Sequence, residues 1–486
     1  MNSSSTPSNQ LNTDPIQSAL QRFFGYSSFR PPQREIVECL IQKHDALIVM
    51  PTGGGKSICF QLPALMQPGV TLVVSPLVAL MENQVRELQL QKLPAALLHS
   101  ELPKSQYRQT LWLLAQQRLR LLYVSPETLF SAKVWEVLCQ PKLVVNGLVI
   151  DEAHCLVQWG DTFRPAYHRL GSVRRSLSAQ HSHFKMMVAA FTATADPHAQ
   201  EMIQRSLQLE QPRHFCLNPY RPNLHLAIQT VWTPHQRRQR LQTFIKQQHN
   251  QAGLVYVRTR RDSEELAAWL GHQGCTTTAY HAGLSPQERR AIEQQWLSGQ
   301  QQFVVCTNAF GMGINHSSVR WIAHFHTPLL LSEYVQEIGR AGRDGNPAIA
   351  LMLISERTGW LDPTDKQRRQ FFTNQMQNQY RQAKDLCRKL PLEGNVTAVS
   401  RQWSGAASAL ALLHQGGDLA WTDPFHYTIT GRSPLMHLGQ SNRHAIDQMQ
   451  QYLTTGHCRW QFLLSAFGFE ADARNWRCGH CDNCRK

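Results

Sequence analysis

Eight consecutive residues, Met50-Pro51-Thr52-Gly53-Gly54-Gly55-Lys56-Ser57, join three glycines to a lysine and a hydroxyl. That set suits a phosphate. Glycines let backbone N–H groups curl around the anion, Lys56 adds a point charge, and the Ser57 hydroxyl can reach a magnesium ion. The strict spacing G-x4-G-K-[ST] is not met, because Met50 stands where its first glycine would be. The curl beside the lysine is still supplied by Gly53, Gly54 and Gly55, so phosphate binding remains the expected chemistry. Two adjacent carboxylates, Asp151 and Glu152, form a second group. Asp151 is suited to holding magnesium through its water shell, and Glu152 to orienting or deprotonating an attacking water. Arg340 and Arg343 form a third group; opposite a phosphate loop, such arginines stabilise charge on a transferring phosphoryl group. The fourth group is Cys458, Cys478, Cys481 and Cys484, spaced C-x19-C-x2-C-x2-C, which suits a closed tetrahedral zinc site.

These groups need elements to position them. An apolar run at 46–49 precedes the glycines and a helical pattern at 57–65 follows, so the loop sits where a strand hands over to a helix. Further apolar runs at 71–75, 120–124, 147–150 and 185–191 alternate with helical stretches, the pattern of βαβ units in a parallel sheet with function at the strand ends. Asp151 and Glu152 follow one such strand. Thr192 and Thr194 follow another, where hydroxyls could bridge the nucleotide side to whatever the protein acts on. Ser75-Pro76-Leu77 and Ser125-Pro126-Glu127 repeat a polar strand end able to hydrogen-bond a phosphate backbone. Proline and asparagine at 216–223 break the pattern. A second βα series follows, with strands expected at 254–257, 277–280, 303–306, 321–325 and 349–354, and with Gly311-Met312-Gly313-Ile314-Asn315 among its landmarks.

The chain has 486 residues, 42% of them hydrophobic, enough for several domains with sizeable cores. No apolar run approaches the ~18 residues of a membrane span, and the polar N-terminus is unlike a secretory signal, so an intracellular protein without a membrane is expected. A formal charge of +15, from 49 basic and 34 acidic residues, favours a polyanionic partner. The cysteines at the C-terminus read as metal ligands rather than disulfides in a reducing compartment, and the others as packed thiols.

Taken together these blocks resemble superfamily 2 helicases, and within them the RecQ family of DNA helicases. The resemblance runs densely over 15–355 and returns at 458–486. It implies two tandem RecA-like domains that close on ATP, with single-stranded DNA lying across both. Phe24-Gly25-Tyr26 through Gln33 looks like the family's adenine-recognising motif, implicating Tyr26, Arg30 and Gln33 beside Thr52, Gly53, Gly54, Gly55, Lys56 and Ser57. Asp151-Glu152-Ala153-His154 looks like the DExH box. The string Cys155 to Pro165 resembles the family's aromatic-rich loop, which makes Trp159, Phe163 and Arg164 candidates for contacting DNA and relaying that contact, with Ser75, Thr192 and Thr194 as further DNA or coupling residues. The implied cofactors are ATP, magnesium and zinc. The implied partners are single-stranded, forked or junction DNA, and single-strand-binding or repair proteins, the chain itself acting as a monomer.

The expected organisation is a disordered stretch 1–14, a RecA-like domain 15–218, a second one 219–357, a helical insertion 358–440 and a zinc subdomain 441–486. In the insertion, a helix, a glycine turn and two short strands at 419–429 resemble a winged helix placed before the zinc cluster. The winged-helix and small helical domains that usually follow that cluster are expected to be missing, since only two residues follow Cys484. Three functions remain open: an ATP-dependent helicase moving 3′ to 5′ in DNA repair or recombination, a DNA-stimulated translocase that unwinds little, and a nucleotide-dependent DNA binder without turnover.

Overall fold

The computed structural model describes residues 14–157, 164–179, 185–310, 316, 318–431 and 436–485. Strands β1 (Ala46–Val49), β2 (Val70–Val74), β3 (Ala95–Leu98), β4 (Leu121–Val124), β5 (Val145–Ile150), β6 (Met187–Thr192) and β7 (Arg213–Cys216) form one sheet in the order β3-β4-β2-β5-β6-β1-β7. Every pairing in it is parallel. Helices cover both faces, so the central strands are buried throughout and read as continuous apolar runs.

A second sheet holds β8 (Leu224–Val231), β9 (Gly253–Tyr256), β10 (Thr277–Tyr280), β11 (Phe303–Cys306), β12 (Trp321–His324) and β13 (Ala348–Ser355), in the order β10-β11-β9-β12-β13-β8. It too is parallel throughout. Two of its helices, Arg260–His272 and Pro286–Leu297, begin with full capping boxes, Thr259 with Asp262 and Ser285 with Glu288. The α/β class with two parallel sheets is therefore the one expected.

The first sheet is fastened by one buried carboxylate. Asp45 accepts from the backbone N–H of Val188 at 2.8 Å and of Glu210 at 2.7 Å, and takes both carboxylate bonds from Arg174 at 2.9 and 2.6 Å. It thereby ties the start of β1 to β6 and to the approach of β7. Asp45→Ala would leave Arg174 Nη1 and two backbone N–H groups without their acceptor, and we expect a loss of ~3–5 kcal/mol. Urea unfolding followed by circular dichroism checks this; a loss below ~1 kcal/mol would mean that solvent replaces the carboxylate.

After the second sheet the chain runs through a helix Thr364–Cys387, β14 (Glu393–Asn395), helices Val396–Gln402 and Ala406–Gly416, and strands β15 (Leu419–Trp421) and β16 (His426–Ile429). The three strands form an antiparallel sheet ordered β14-β16-β15. The two short strands expected at 419–429 are thus present as a hairpin, with Leu419 opposite Ile429 and Trp421 opposite Tyr427. The hairpin does not project into solvent. Arg175 donates to the carbonyls of Trp421 and Thr422 at 3.0 and 2.8 Å, and Arg169 donates to that of Pro424 at 3.2 Å. The Phe425 ring meets Trp135 edge-on at 5.4 Å, so the turn of the hairpin is seated on the first sheet's body.

Candidate active site

The phosphate loop leaves β1 and enters the helix Lys56–Met66. Gly53 and Gly55 have φ of +84° and +78°, the left-handed region open to glycine at little cost. Gly54 is constrained differently: a Cβ there would lie 2.8 Å from Met50 Cγ. Met50 is fully buried under the loop, and its carbonyl accepts from Lys56 Nζ at 3.2 Å. The residue that breaks the strict motif thus serves as the loop's floor.

Gln33 holds the loop from the other side. Its amide donates to the carbonyls of Gly54 and Gly55 at 3.1 and 3.3 Å, while its oxygen accepts from the Arg30 backbone at 2.9 Å. Arg30 itself reaches the Gly53 carbonyl at 3.4 Å. Tyr26 stands exposed just past the end of the first helix, free to offer its ring face.

Asp151 and Glu152 emerge from β5 into the same space. Glu152 sits at φ +51°, a left-handed conformation that a glutamate adopts only when its surroundings hold it. Here His154 does so, with Nδ1 3.1 Å from the carboxylate and 3.2 Å from the Thr192 hydroxyl. Burial pushes Glu152 up, but the His154 hydrogen bond and the charges of Lys56 and Arg340 outweigh it and keep the group ionised. Asp151 goes the other way, raised by burial and by the Glu152 carboxylate beside it. An acid in that position is one that a divalent cation returns to its charged form.

The second body closes this space. The Thr52 hydroxyl donates to the Gly339 carbonyl at 2.9 Å, and a Cβ on Gly53 would lie 3.4 Å from Arg343 Cγ. Arg340 and Arg343 therefore stand over the phosphate loop of the first sheet. Burial, and then the neighbouring Arg340 charge, lower Arg343 to about 10. Two crowded guanidiniums beside buried N–H groups favour an anion between them.

The four C-terminal sulfurs all lie within 4.8 Å of one another, with Cys478 to Cys484 at 3.9 Å and Cys458 to Cys481 at 4.0 Å. Zinc–sulfur bonds of ~2.3 Å require sulfur separations of ~3.8 Å in a tetrahedron, so the donor set fits zinc. Backbone N–H groups of Cys478, Cys481 and Arg459 point at these sulfurs at 3.3 to 3.4 Å, which favours thiolates. His480 is occupied elsewhere, its Nε2 3.2 Å from the Tyr220 hydroxyl. The module also covers the open edge of the second sheet: the Asp482 N–H donates to Leu226 and its carboxylate accepts from Ile228, both on β8. Stripping zinc with a strong chelator should therefore lower Tm by roughly 10 °C or more, given several kcal/mol of lost stability. Differential scanning fluorimetry on metal-depleted protein checks this, and an unchanged Tm would show that the cluster is not structural.

Comparison with known proteins bears on all of this. Residues 30–203 match the DEAD/DEAH box helicase family, residues 236–345 the helicase conserved C-terminal domain, and residues 428–485 the RecQ zinc-binding family. A curated relative from Synechocystis sp., named ATP-dependent DNA helicase RecQ, is 50% identical over 473 residues, which are 96% of this chain and 98% of the relative. The chain belongs to the RecQ family of DNA helicases. Another RecQ, from Haemophilus influenzae, is 39% identical over 345 residues; the match takes in 71% of this chain but 54% of that one. Among solved structures, the helicase MrfA bound to DNA superposes with a TM-score of 0.60 at 17% identity, over 89% of this chain and 64% of that one. Mycobacterium smegmatis Lhr superposes at 0.58 with 19% identity, over 90% and 62%. These likenesses bear on the fold, which is that of two RecA-like domains.

Within this RecQ-family chain the expected DNA and coupling residues fall in three places. Trp159 and Phe163 lie outside the described residues. Arg164 is partly exposed; it donates to the Pro76 carbonyl at 3.3 Å and pairs with Glu127 at 3.5 Å, joining the two Ser-Pro strand ends. Ser75, Thr192 and Thr194, expected as DNA or coupling residues, are buried. Thr192 instead links His154 to the turn at Thr194, whose N–H donates to its hydroxyl at 3.3 Å.

Two features of this RecQ-family site were not assigned from sequence. His154 carries no role in the sequence pattern read above, although a histidine two residues after a candidate base is a readable signal. Thr52 was expected on the nucleotide, and its bond to Gly339, 287 residues away, becomes visible only once the bodies are placed.

Proposed function

We propose that this RecQ-family chain is a motor that hydrolyses ATP between its two RecA-like domains and uses the cycle to move 3′ to 5′ along single-stranded DNA and part duplexes in repair or recombination. The observation that carries the reading is the seam itself: Arg340 and Arg343 of the second domain stand over the glycine loop of the first, with Thr52 bonded to Gly339 across the gap. A protein that only bound nucleotide would not need arginines there.

ATP would lie with its phosphates in the loop Gly53–Gly55, Lys56 at the outer phosphates and the adenine between Tyr26 and the Arg30–Gln33 turn. Ser57 and Asp151 would hold magnesium, which would supply positive charge at the phosphates. Glu152, ionised and aimed by His154, accepts the proton of the attacking water. Arg340 and Arg343 meet the charge that develops on the transferring group. Loss of the γ-phosphate removes what the arginines hold, and the seam opens. His154, Thr192 and Thr194 then form the link from the cleavage site toward the DNA side, while Arg164, held by the Pro76 carbonyl and Glu127, follows Trp159 and Phe163 in the sequence.

We read the αβααββ unit after the second domain as a winged helix placed ahead of the zinc module. Its hairpin is seated on the first domain through Arg169, Arg175 and Phe425. That seat favours a bracing role for the hairpin over a strand-separating one, and it keeps a second reading in play: a translocase that unwinds weakly. Forked duplexes carrying either a 3′ or a 5′ single-stranded arm separate the alternatives. Release from the 3′-armed fork alone supports the proposal; ATP turnover without release from either supports the translocase, and release from the 5′-armed fork alone contradicts the assigned direction.

A further inference from the structure

The helix Thr364–Cys387 is anchored at both ends and open in the middle. At its start, Asp362 and Asp365 bind the buried Arg237 at 2.9 and 2.8 Å, and Arg368 bonds Asp262 at 2.6 Å, fixing it to the second domain. At its end, Ala383 and Cys387 enter the core of the αβααββ unit. Between these anchors Met376 and Tyr380 pack against that unit and Arg369 donates to Gln450, while the side toward the second domain leaves a cleft that Gln450 also lines.

The helix lines that cleft with Arg368, Arg369, Phe372, Gln375, Met376 and Gln379. Steps of one, three and four residues place all six on one helical face. The opposite wall is made by Arg258, Asn308 and Thr327, which follow β9, β11 and β12. The cleft therefore lies at the carboxyl ends of parallel strands, where open α/β sheets bind ligands. Arg258 is spent on Glu337 at 2.8 Å, and Glu333, which also lines the cleft, lies 3.8 Å from the same guanidinium.

A helix held there only for packing would show the sheet edge an apolar stripe. This one shows arginines and amides around one ring and one thioether. Along its length it carries five basic residues against two acidic ones, together with eight Asn or Gln side chains. Arginine suits phosphates, amides can both give and accept hydrogen bonds at base edges, and a ring stacks on any base. From Arg368 to Gln379 the stripe is about 16 Å long.

We propose that helix Thr364–Cys387 is the outer wall of the single-stranded DNA path on the second domain. A strand in the cleft touches Arg369, Phe372, Gln375 and Gln379 on one side and the strand ends on the other. The inference rests on the DNA-motor reading above and adds an element outside the two RecA-like domains to its DNA site.

Gln375 and Gln379 are exposed, so Gln375→Glu with Gln379→Glu puts two negative charges into the cleft without disturbing the core. Gln370→Glu with Gln377→Glu makes the same charge change on the opposite, exposed face. Binding of a dye-labelled oligothymidine to the full chain is read by fluorescence anisotropy at low and moderate salt, with DNA-independent ATP turnover as the check on folding. The cleft pair should raise Kd about tenfold and the opposite pair less than about twofold, since like charge acts on phosphates it adjoins. Equal weakening by both pairs would reduce the effect to diffuse charge and overturn the inference. So would unchanged affinity in the cleft pair, or weakening by the opposite pair alone. A native chain that bound no oligothymidine would overturn the DNA-motor reading together with it.

Discussion

Arg340→Ala should lower kcat for ATP hydrolysis by about a thousandfold while leaving KM for ATP within a few-fold, because arginine fingers act on charge that appears only in the transition state. The expectation follows from the seam: Arg340 is buried, its charge reaches Glu152, and its helix end is fastened to the phosphate loop through Gly339 and Thr52. Arg340→Lys should recover little, since an ammonium lacks the planar fork. Steady-state turnover with saturating DNA is the measurement. A fall of less than about tenfold for Arg340→Ala would move the finger role to Arg343.

The second large effect is at Glu152. Glu152→Gln keeps the shape and a hydrogen bond to His154 but removes the proton acceptor, and kcat should fall by ~10²–10⁴. Nucleotide binding should persist, because nothing in the phosphate loop depends on that carboxylate. The neighbouring His154→Ala should cost less. It frees Glu152 from its left-handed pose and cuts the link to Thr192, so the stimulation of turnover by DNA should drop more than turnover without DNA. A Glu152→Gln protein with near-native kcat would mean that another group activates the water.

Much of this site was legible in the sequence because it is made of short strings at strand ends. Three glycines before Lys56, a carboxylate pair after an apolar run, and four cysteines at zinc spacing each carry their chemistry locally. The structure added reasons. Met50, the departure from the strict phosphate-loop pattern, is the buried floor beneath Gly54. Four strands were not expected, among them β14, a three-residue Glu-Gly-Asn segment without an apolar pattern. β3 is Ala-Ala-Leu-Leu, which reads as readily as helix, and β7 is an exposed edge of mixed polarity. β8, at the other sheet's edge, intersperses partly exposed positions among buried ones and so lacks the continuous apolar run of the central strands. The burial of Ser75, Thr192 and Thr194 was illegible for a different cause. A hydroxyl at a strand end has the same sequence signature whether the following loop covers it or not. Contacts across the seam and between the hairpin and Arg169 or Arg175 join residues far apart in the chain, and no local pattern encodes them.

The most direct test of the account is ATP turnover with and without single-stranded DNA, measured for the native chain and for Lys56→Ala, with strand release from a 3′-armed fork in the same reactions. The account predicts strong stimulation by DNA in the native chain, strand release that requires ATP, and loss of both in Lys56→Ala. Turnover that DNA does not change, or that survives in Lys56→Ala, would contradict it.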